Sequence, residues 1–192
     1  MLRGIYNWTM SLAQSRHALW ALAAVSFAES SFFPIPPDVL MIPMIIAAPR
    51  RAFVIAGVAT ASSVLGGMLG YAIGWGLFDS VGRPVLEFYG KAAYFDDFAQ
   101  RYNEWGAWMV LVAGLTPFPY KVITILSGAT GLSLPVFVVA SVLARAGRFF
   151  LVAALLRVFG APIRDFIEKR LGLMTVIFVV LLLGGFLAVR YL

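Results

Sequence analysis

The sequence predicts an all-α integral membrane protein built as an inverted repeat. Two re-entrant helical hairpins are each followed by a transmembrane helix, and a further transmembrane helix closes the chain. Three observations lead there. Of 192 residues, 61% are hydrophobic and 12% charged, against about 45–50% and about 25% in soluble domains. Two of the apolar stretches are broken by closely spaced prolines rather than by charge. Each broken stretch is followed by an unbroken one, so the same order occurs twice.

Composition also excludes. The chain has no cysteine, and His17 is its one histidine. Disulfides, thiolate chemistry, a histidine metal cage and a Ser-His-Asp triad are therefore not expected. Neither a metal nor a cofactor is expected. The net charge of +6 is spread between apolar segments, which points to positive cytoplasmic loops rather than nucleic-acid binding. Arg16 and the apolar run after it imitate a signal peptide, but the sequence that follows stays apolar and Pro-rich, as a membrane core would.

Residues 18–48 form the first unit, broken by Pro34, Pro36 and Pro37. These rings remove amide donors and restrict the residue before them, so a helix cannot continue. The arm after the break reaches about 15 Å, half a bilayer. A hairpin that dips in and returns fits better than two spans. Residues 52–78 read as a span carrying Gly66, Gly70 and Gly74 at four-residue intervals, a stripe suited to close helix packing. Residues 79–104 read as an amphipathic linker on the membrane surface, with Phe88, Ala92, Phe95, Ala99 and Tyr102 on one face. The second broken unit, residues 105–131, is interrupted at Pro117 and Pro119. Spans over 134–159 and 171–189 complete a single membrane domain, 1–192.

Phe33-Pro34-Ile35-Pro36-Pro37-Asp38-Val39 aligns with Thr116-Pro117-Phe118-Pro119-Tyr120-Lys121-Val122. A charge, Asp38 or Lys121, follows each Pro-x-Pro break. The following spans open with Ala52-Phe53-Val54 and Val136-Phe137-Val138 at almost the same spacing. Arg50 and Arg51, and the basic loop after the fourth unit, place those ends in the cytoplasm; the linker, with five acids against three bases, lies outside. The N-terminus is then cytoplasmic, and the hairpins enter from opposite faces, as in many secondary transporters.

Glu29, Asp38, Lys121, Arg145 and Arg148 fall inside apolar stretches. Each costs about 2.5–3.5 kcal/mol at the bilayer centre on insertion scales. One reading is structural: Glu29 and Asp38 neutralise Arg145 and Arg148, three residues apart on one helical face. The other adds function. Arginine forks, with Lys121, suit a phosphate head group, and a carboxylate at low dielectric can carry a proton.

These motifs resemble the DedA family, related to the eukaryotic VTT-domain (SNARE-associated Golgi) proteins, and most of all its short YqaA-type members. The resemblance runs from about Leu22 to Phe159. It implies opposed re-entrant hairpins, embedded acids and arginines needed for activity, and lipid translocation in a bacterial cytoplasmic (inner) membrane. By motif position Glu29 and Asp38 match the family's acidic pair; Arg145 and Arg148 match its arginine pair, at a tighter spacing. Lys121 stands where many members have arginine.

The expected function is a flippase or scramblase for an anionic lipid, such as undecaprenyl phosphate or a phospholipid, with Glu29 and Asp38 as proton-coupling groups. The alternative is a proton-driven transporter of a small solute or drug. An intramembrane enzyme is not expected, because Ser62 and Ser63 lack a plausible base. The expected partners are the lipid and protons, with no nucleic acid; the oligomeric state stays open, a homo-oligomer included.

Overall fold

The computed structural model of the chain describes residues 17–32, 35–116, 118–160 and 162. Pro34, Pro117 and the expected final span over 171–189 lie outside the described residues. Among the described residues the regular structure is helical, with no strand. In chain order the α-helices are α1 (Ala18–Ser31), α2 (Asp38–Ala47), α3 (Ala52–Leu77), α4 (Arg83–Phe88), α5 (Ala92–Glu104), α6 (Gly106–Leu115), α7 (Tyr120–Ala129) and α8 (Leu134–Gly160).

The broken units follow from proline chemistry. Pro37 caps α2 with φ −64°, the angle its ring imposes, and its carbonyl accepts from the amides of Leu40 and Met41 at 3.0 and 2.9 Å. At that position the missing N–H has no helical partner to lose. Pro43 is different: it lies inside α2, where its ring leaves the Val39 carbonyl without its helical donor. In the second unit Thr116 is extended (φ −88°, ψ 169°) and Pro119 precedes α7. Gly131, at φ +67°, ends that unit. Leu132 N–H reaches Ser127 O and Gly131 N–H reaches Gly128 O, at 3.0 and 3.1 Å, the paired bonds of a Schellman cap.

Among the described residues, two helical stretches are long and apolar enough to cross a membrane, Pro49–Phe88 and Leu134–Gly160. The first corrects the expected boundary at residue 78. The chain does not leave the helix at Asp79. It widens into a π-helical segment, Phe78–Gly82, and continues as α4. One acid does not stop a helix when its charge is answered one turn on: Asp79 lies 4.0 Å from Arg83, which also bonds Asp96 at 3.3 Å. Pro84 falls in the first turn of α4, where a proline is tolerated. The linker is therefore two helices, parted at Gly90 (φ +64°).

The apolar face of α5 packs on the protein. Phe95 stacks on Phe78 with ring centres 4.5 Å apart, and Tyr102 is buried with its hydroxyl 2.9 Å from Ser127 Oγ. Burial raises the Tyr102 phenol above its ordinary range, opposed by that hydrogen bond, so it stays neutral at physiological pH. Asn103 Nδ2 donates to Thr130 O at 2.7 Å. These bonds tie α5 to the end of α7.

Helices α3 and α8 run antiparallel. Phe53 stacks on Phe150, Ser63 meets Arg145 and Tyr71 packs on Phe137. One core joins the start of α1, the end of α2, the start of α3 and the end of α8, through Ala18, Leu22, Met44, Ile45, Ala52 and Leu156. The other joins α6, α7 and the first half of α8, through Val110, Ile123, Phe137 and Ala140. The start of α6 meets Leu132, just past α7. Each broken unit thus opens toward one end of the α3–α8 pair, and the two ends are opposite.

The glycines of α3 set how closely the broken units approach. A Cβ on Gly66 would overlap the carbonyl of Phe27, one on Gly70 the side chain of Thr124, and one on Gly74 the carbonyl of Ile125. Gly66 therefore faces α1, and Gly74 faces α7. By contrast, Gly57 and Gly76 meet nothing within 4 Å. We expect Gly66→Ala and Gly74→Ala to destabilise the protein by about 1–3 kcal/mol through overpacking. Gly57→Ala and Gly76→Ala should be neutral or stabilising, since alanine is the better helix former. Thermal unfolding in detergent, read as loss of monodisperse protein, checks this. Equal midpoints for Gly74→Ala and Gly76→Ala would show that the stripe does not limit packing.

Candidate functional site

The breaks of the two units meet against the middle of α3 and α8. From the first unit come Glu29 and Ser30, near the end of α1, and Asp38, opening α2. From the second come Thr116, just past α6, and Tyr120, Lys121 and Thr124, opening α7. The hydroxyl of Thr124 is shared between Ser30 O and Lys121 O at 3.0 and 2.9 Å, which ties one unit to the other. Ser31 Oγ reaches Gly66 O at 3.0 Å, fixing the end of α1 on α3.

Arg145 occupies the centre. Its side chain is 2% exposed. Nη2 donates to Glu29 Oε2 at 2.9 Å and Nε to Ser63 Oγ at 2.6 Å. The guanidinium carbon lies 4.7 Å from the centre of the Tyr120 ring and 4.6 Å from that of Phe149. Ring faces carry negative potential, and the interaction grows when water is excluded. A carboxylate, a hydroxyl and two aromatic rings thus replace the hydration this cation gives up. Tyr120 is held in turn by its hydroxyl bond to Ser141 Oγ at 2.5 Å.

Arg148, one turn on, is more open. Its side chain is 25% exposed and that of its partner Asp38 is 21% exposed, with Nη2 to Oδ2 at 2.7 Å. Nη1 reaches Thr116 O at 3.3 Å, so one guanidinium touches both units. Lys121 is half-buried, and among the described residues no carboxylate lies within ion-pairing distance of it.

The expected acids and arginines are therefore brought together as two specific pairs, Glu29 with Arg145 and Asp38 with Arg148. Pro36 and Pro37 lie in the first break and Pro119 in the second. Sequence reasoning considered Ser63 only as a nucleophile, and missed Ser30, Tyr120, Thr124 and Phe149. The available signal was the cluster of hydroxyls within apolar helices, since a buried hydroxyl needs a partner.

The fold and the site fit a membrane protein in which a broken helical unit is ion-paired to a long apolar helix. The VTT-domain family model matches residues 35–158, and the chain belongs to that family, the family of the DedA proteins, which are membrane proteins. It is 39% identical over 168 residues to an uncharacterized protein of Haemophilus influenzae, covering 85% of this chain and 87% of that one. It is 36% identical over 168 residues to an uncharacterized protein of Histophilus somni, with the same coverage of both. No solved structure matches the chain.

Removing one partner from a buried ion pair costs about 3–5 kcal/mol, because the other charge stays behind unpaired. The enclosed pair should suffer more than the open one, which water can reach. We therefore expect Glu29→Gln to lower the thermal midpoint of the purified protein more than Asp38→Asn. The double change Glu29→Gln with Arg145→Met should recover much of that loss. A smaller effect for Glu29→Gln than for Asp38→Asn would contradict this ranking.

Proposed function

We propose that the protein carries an anionic lipid between membrane leaflets, as a flippase or scramblase of the bacterial cytoplasmic membrane, with proton uptake at Glu29 and Asp38. One observation carries the reading: two carboxylate–arginine pairs tie the break of the first helical unit to the middle of α8, where Thr116 and Tyr120 from the break of the second unit meet the same arginines. A membrane interior retains charge at such cost only for a purpose, and packing alone could be met by apolar side chains.

The same geometry supports a membrane layout. With 14 residues in α1 and 10 in each of α2, α6 and α7, the arms reach about 21 and about 15 Å, short of the ~30 Å hydrocarbon core. They act as re-entrant hairpins, opening to opposite sides in an inverted repeat, with their irregular backbone buried in protein as a bilayer requires. Arg50, Arg51 and Arg157 gather at the end of the α3–α8 pair where the first unit opens, and that end is cytoplasmic. Its bacterial relatives fit this location.

The charged groups divide the work. Arg145 is enclosed and already paired, so it positions the hairpin ends. Arg148 and Lys121 are the accessible cations, and they receive the phosphate. Phosphate oxygens compete with Asp38 for the same guanidinium, which makes proton uptake by Asp38 favour lipid binding. No bond of the substrate is broken, and the protein acts as a carrier rather than an enzyme.

Liposomes holding the purified protein, with labelled polyprenyl phosphate or labelled phospholipid in one leaflet, test this. Arg148→Lys keeps the charge and loses the planar fork. It should insert and fold normally yet move lipid about tenfold more slowly, the loss expected for one charge-assisted contact. Lys121→Met should also slow transport. Wild-type vesicles that pass small solutes but leave the labelled lipids in place would sink the lipid reading in favour of solute transport.

A further inference from the structure

Glu29, Ser30, Ser63 and Arg145 close a ring of hydrogen bonds across α1, α3 and α8. Arg145 Nη2 donates to Glu29 Oε2 at 2.9 Å, and Nε donates to Ser63 Oγ at 2.6 Å. The Ser63 and Ser30 hydroxyl oxygens are 2.6 Å apart, and Ser30 donates to the same Glu29 oxygen at 3.1 Å. Both serines are fully buried.

Counting protons fixes the direction of this ring. A guanidinium only donates, and an ionised carboxylate only accepts. Ser30 has one proton and gives it to Glu29. Ser63 must then give its own to Ser30, while accepting from Arg145. Both hydroxyls point toward the carboxylate, and the two routes out of Arg145 converge on Oε2. A proton arriving at the carboxylate removes the charge that both donors face, and so weakens the bonds from Arg145 and Ser30 together.

We infer that Ser30 and Ser63 are positioning residues for proton uptake at Glu29: the hydroxyl pair favours the ionised carboxylate and so sets the pH at which Glu29 takes its proton. The pair also joins that event to Arg145, and through it to the contact of α1 with α3 and α8. The inference rests on the proton-uptake part of the proposed function. The other charged and titratable groups around the Glu29–Arg145 pair are Arg148 on α8, Asp38 on α2 and Tyr120 on α7. From α3 the ring receives Ser63 and no charge. Serine substitutions leave all of these groups in place, so a change in titration is assignable to the hydroxyls.

Infrared titration of the reconstituted protein reads this directly. The carbonyl-stretch band of a protonated carboxyl group is assigned to Glu29 by its loss in Glu29→Gln. Ser30→Ala and Ser63→Ala each remove a donor from the chain that ends on the carboxylate. Ser30→Ala should move the midpoint of that band upward by about one pH unit, the effect of one lost hydrogen bond to a charged group; Ser63→Ala, which removes the hydroxyl behind Ser30, should move it in the same direction by less. Ser63→Thr keeps the hydroxyl and should titrate with the wild type. Ser26→Ala is the control, because the buried Ser26 hydroxyl, one turn before Ser30 on α1, has no hydrogen-bond partner among the described residues; it should leave the midpoint unchanged.

Unchanged midpoints in both alanine variants would overturn the inference, as would an equal shift in Ser63→Thr or a band that Glu29→Gln does not remove. Should Ser63→Ala not fold, Ser30→Ala decides alone. Lipid transport measured across the same pH range separates the two claims. Flat wild-type transport beside the expected infrared shifts would remove proton coupling from the function and leave the hydroxyl pair its role at Glu29.

Discussion

A guanidinium held away from water is the constraint on which this structure depends. Arg145 sits midway along α8 with almost no exposure, and a bare cation there would cost more than any single contact returns. The surrounding structure supplies the compensation. A carboxylate comes from α1, a hydroxyl from α3 and an aromatic face from α7. For all three to arrive, α1 must end at Ser31, α7 must start at Tyr120, and α3 must let both approach. The prolines place the ends, and Gly66, Gly70 and Gly74 permit the approach.

The second pair obeys the same electrostatics in a wetter setting, and the contrast gives each pair its work. Arg148 and Asp38 retain between a fifth and a quarter of their side-chain exposure. Their attraction is weaker for that reason, and a competing anion can displace it. Because Arg148 also holds the Thr116 carbonyl, an anion that takes this guanidinium loosens both units at once. An enclosed pair that fixes the ends and an open pair that can exchange partners is the division that the proposed carrier would need, since it must bind its cargo and release it.

Much of the architecture was legible because it rests on local rules. Proline breaks, the glycine stripe and charge in apolar sequence require no knowledge of distant partners, and Glu29, Asp38, Arg145 and Arg148 stood out on those grounds. The end of the first long helix was not legible in the same way. Asp79 looked like the end of the span, yet Arg83, one turn on, answers its charge, and the π-helical segment Phe78–Gly82 carries the helix on into α4, where Pro84 falls in the first turn. The roles of Ser30, Ser63 and Tyr120 were hidden for another reason. A serine in an apolar helix is ordinary until its partner is known, and these partners lie on other helices. The apolar face of α5 suggested lipid, whereas it packs on Phe78 and anchors on Ser127.

The central claim is that two broken units reach the same charged site from opposite sides of a membrane. Single cysteines can be placed in the chain, which has none of its own, at Arg51, beside the opening of the first unit, and at Gly131, beside that of the second. Each is then challenged in intact cells and in inverted vesicles with a thiol reagent that does not cross membranes. The account predicts that position 51 labels from the cytoplasmic side and position 131 from the other. Labelling of both positions from one side would contradict it.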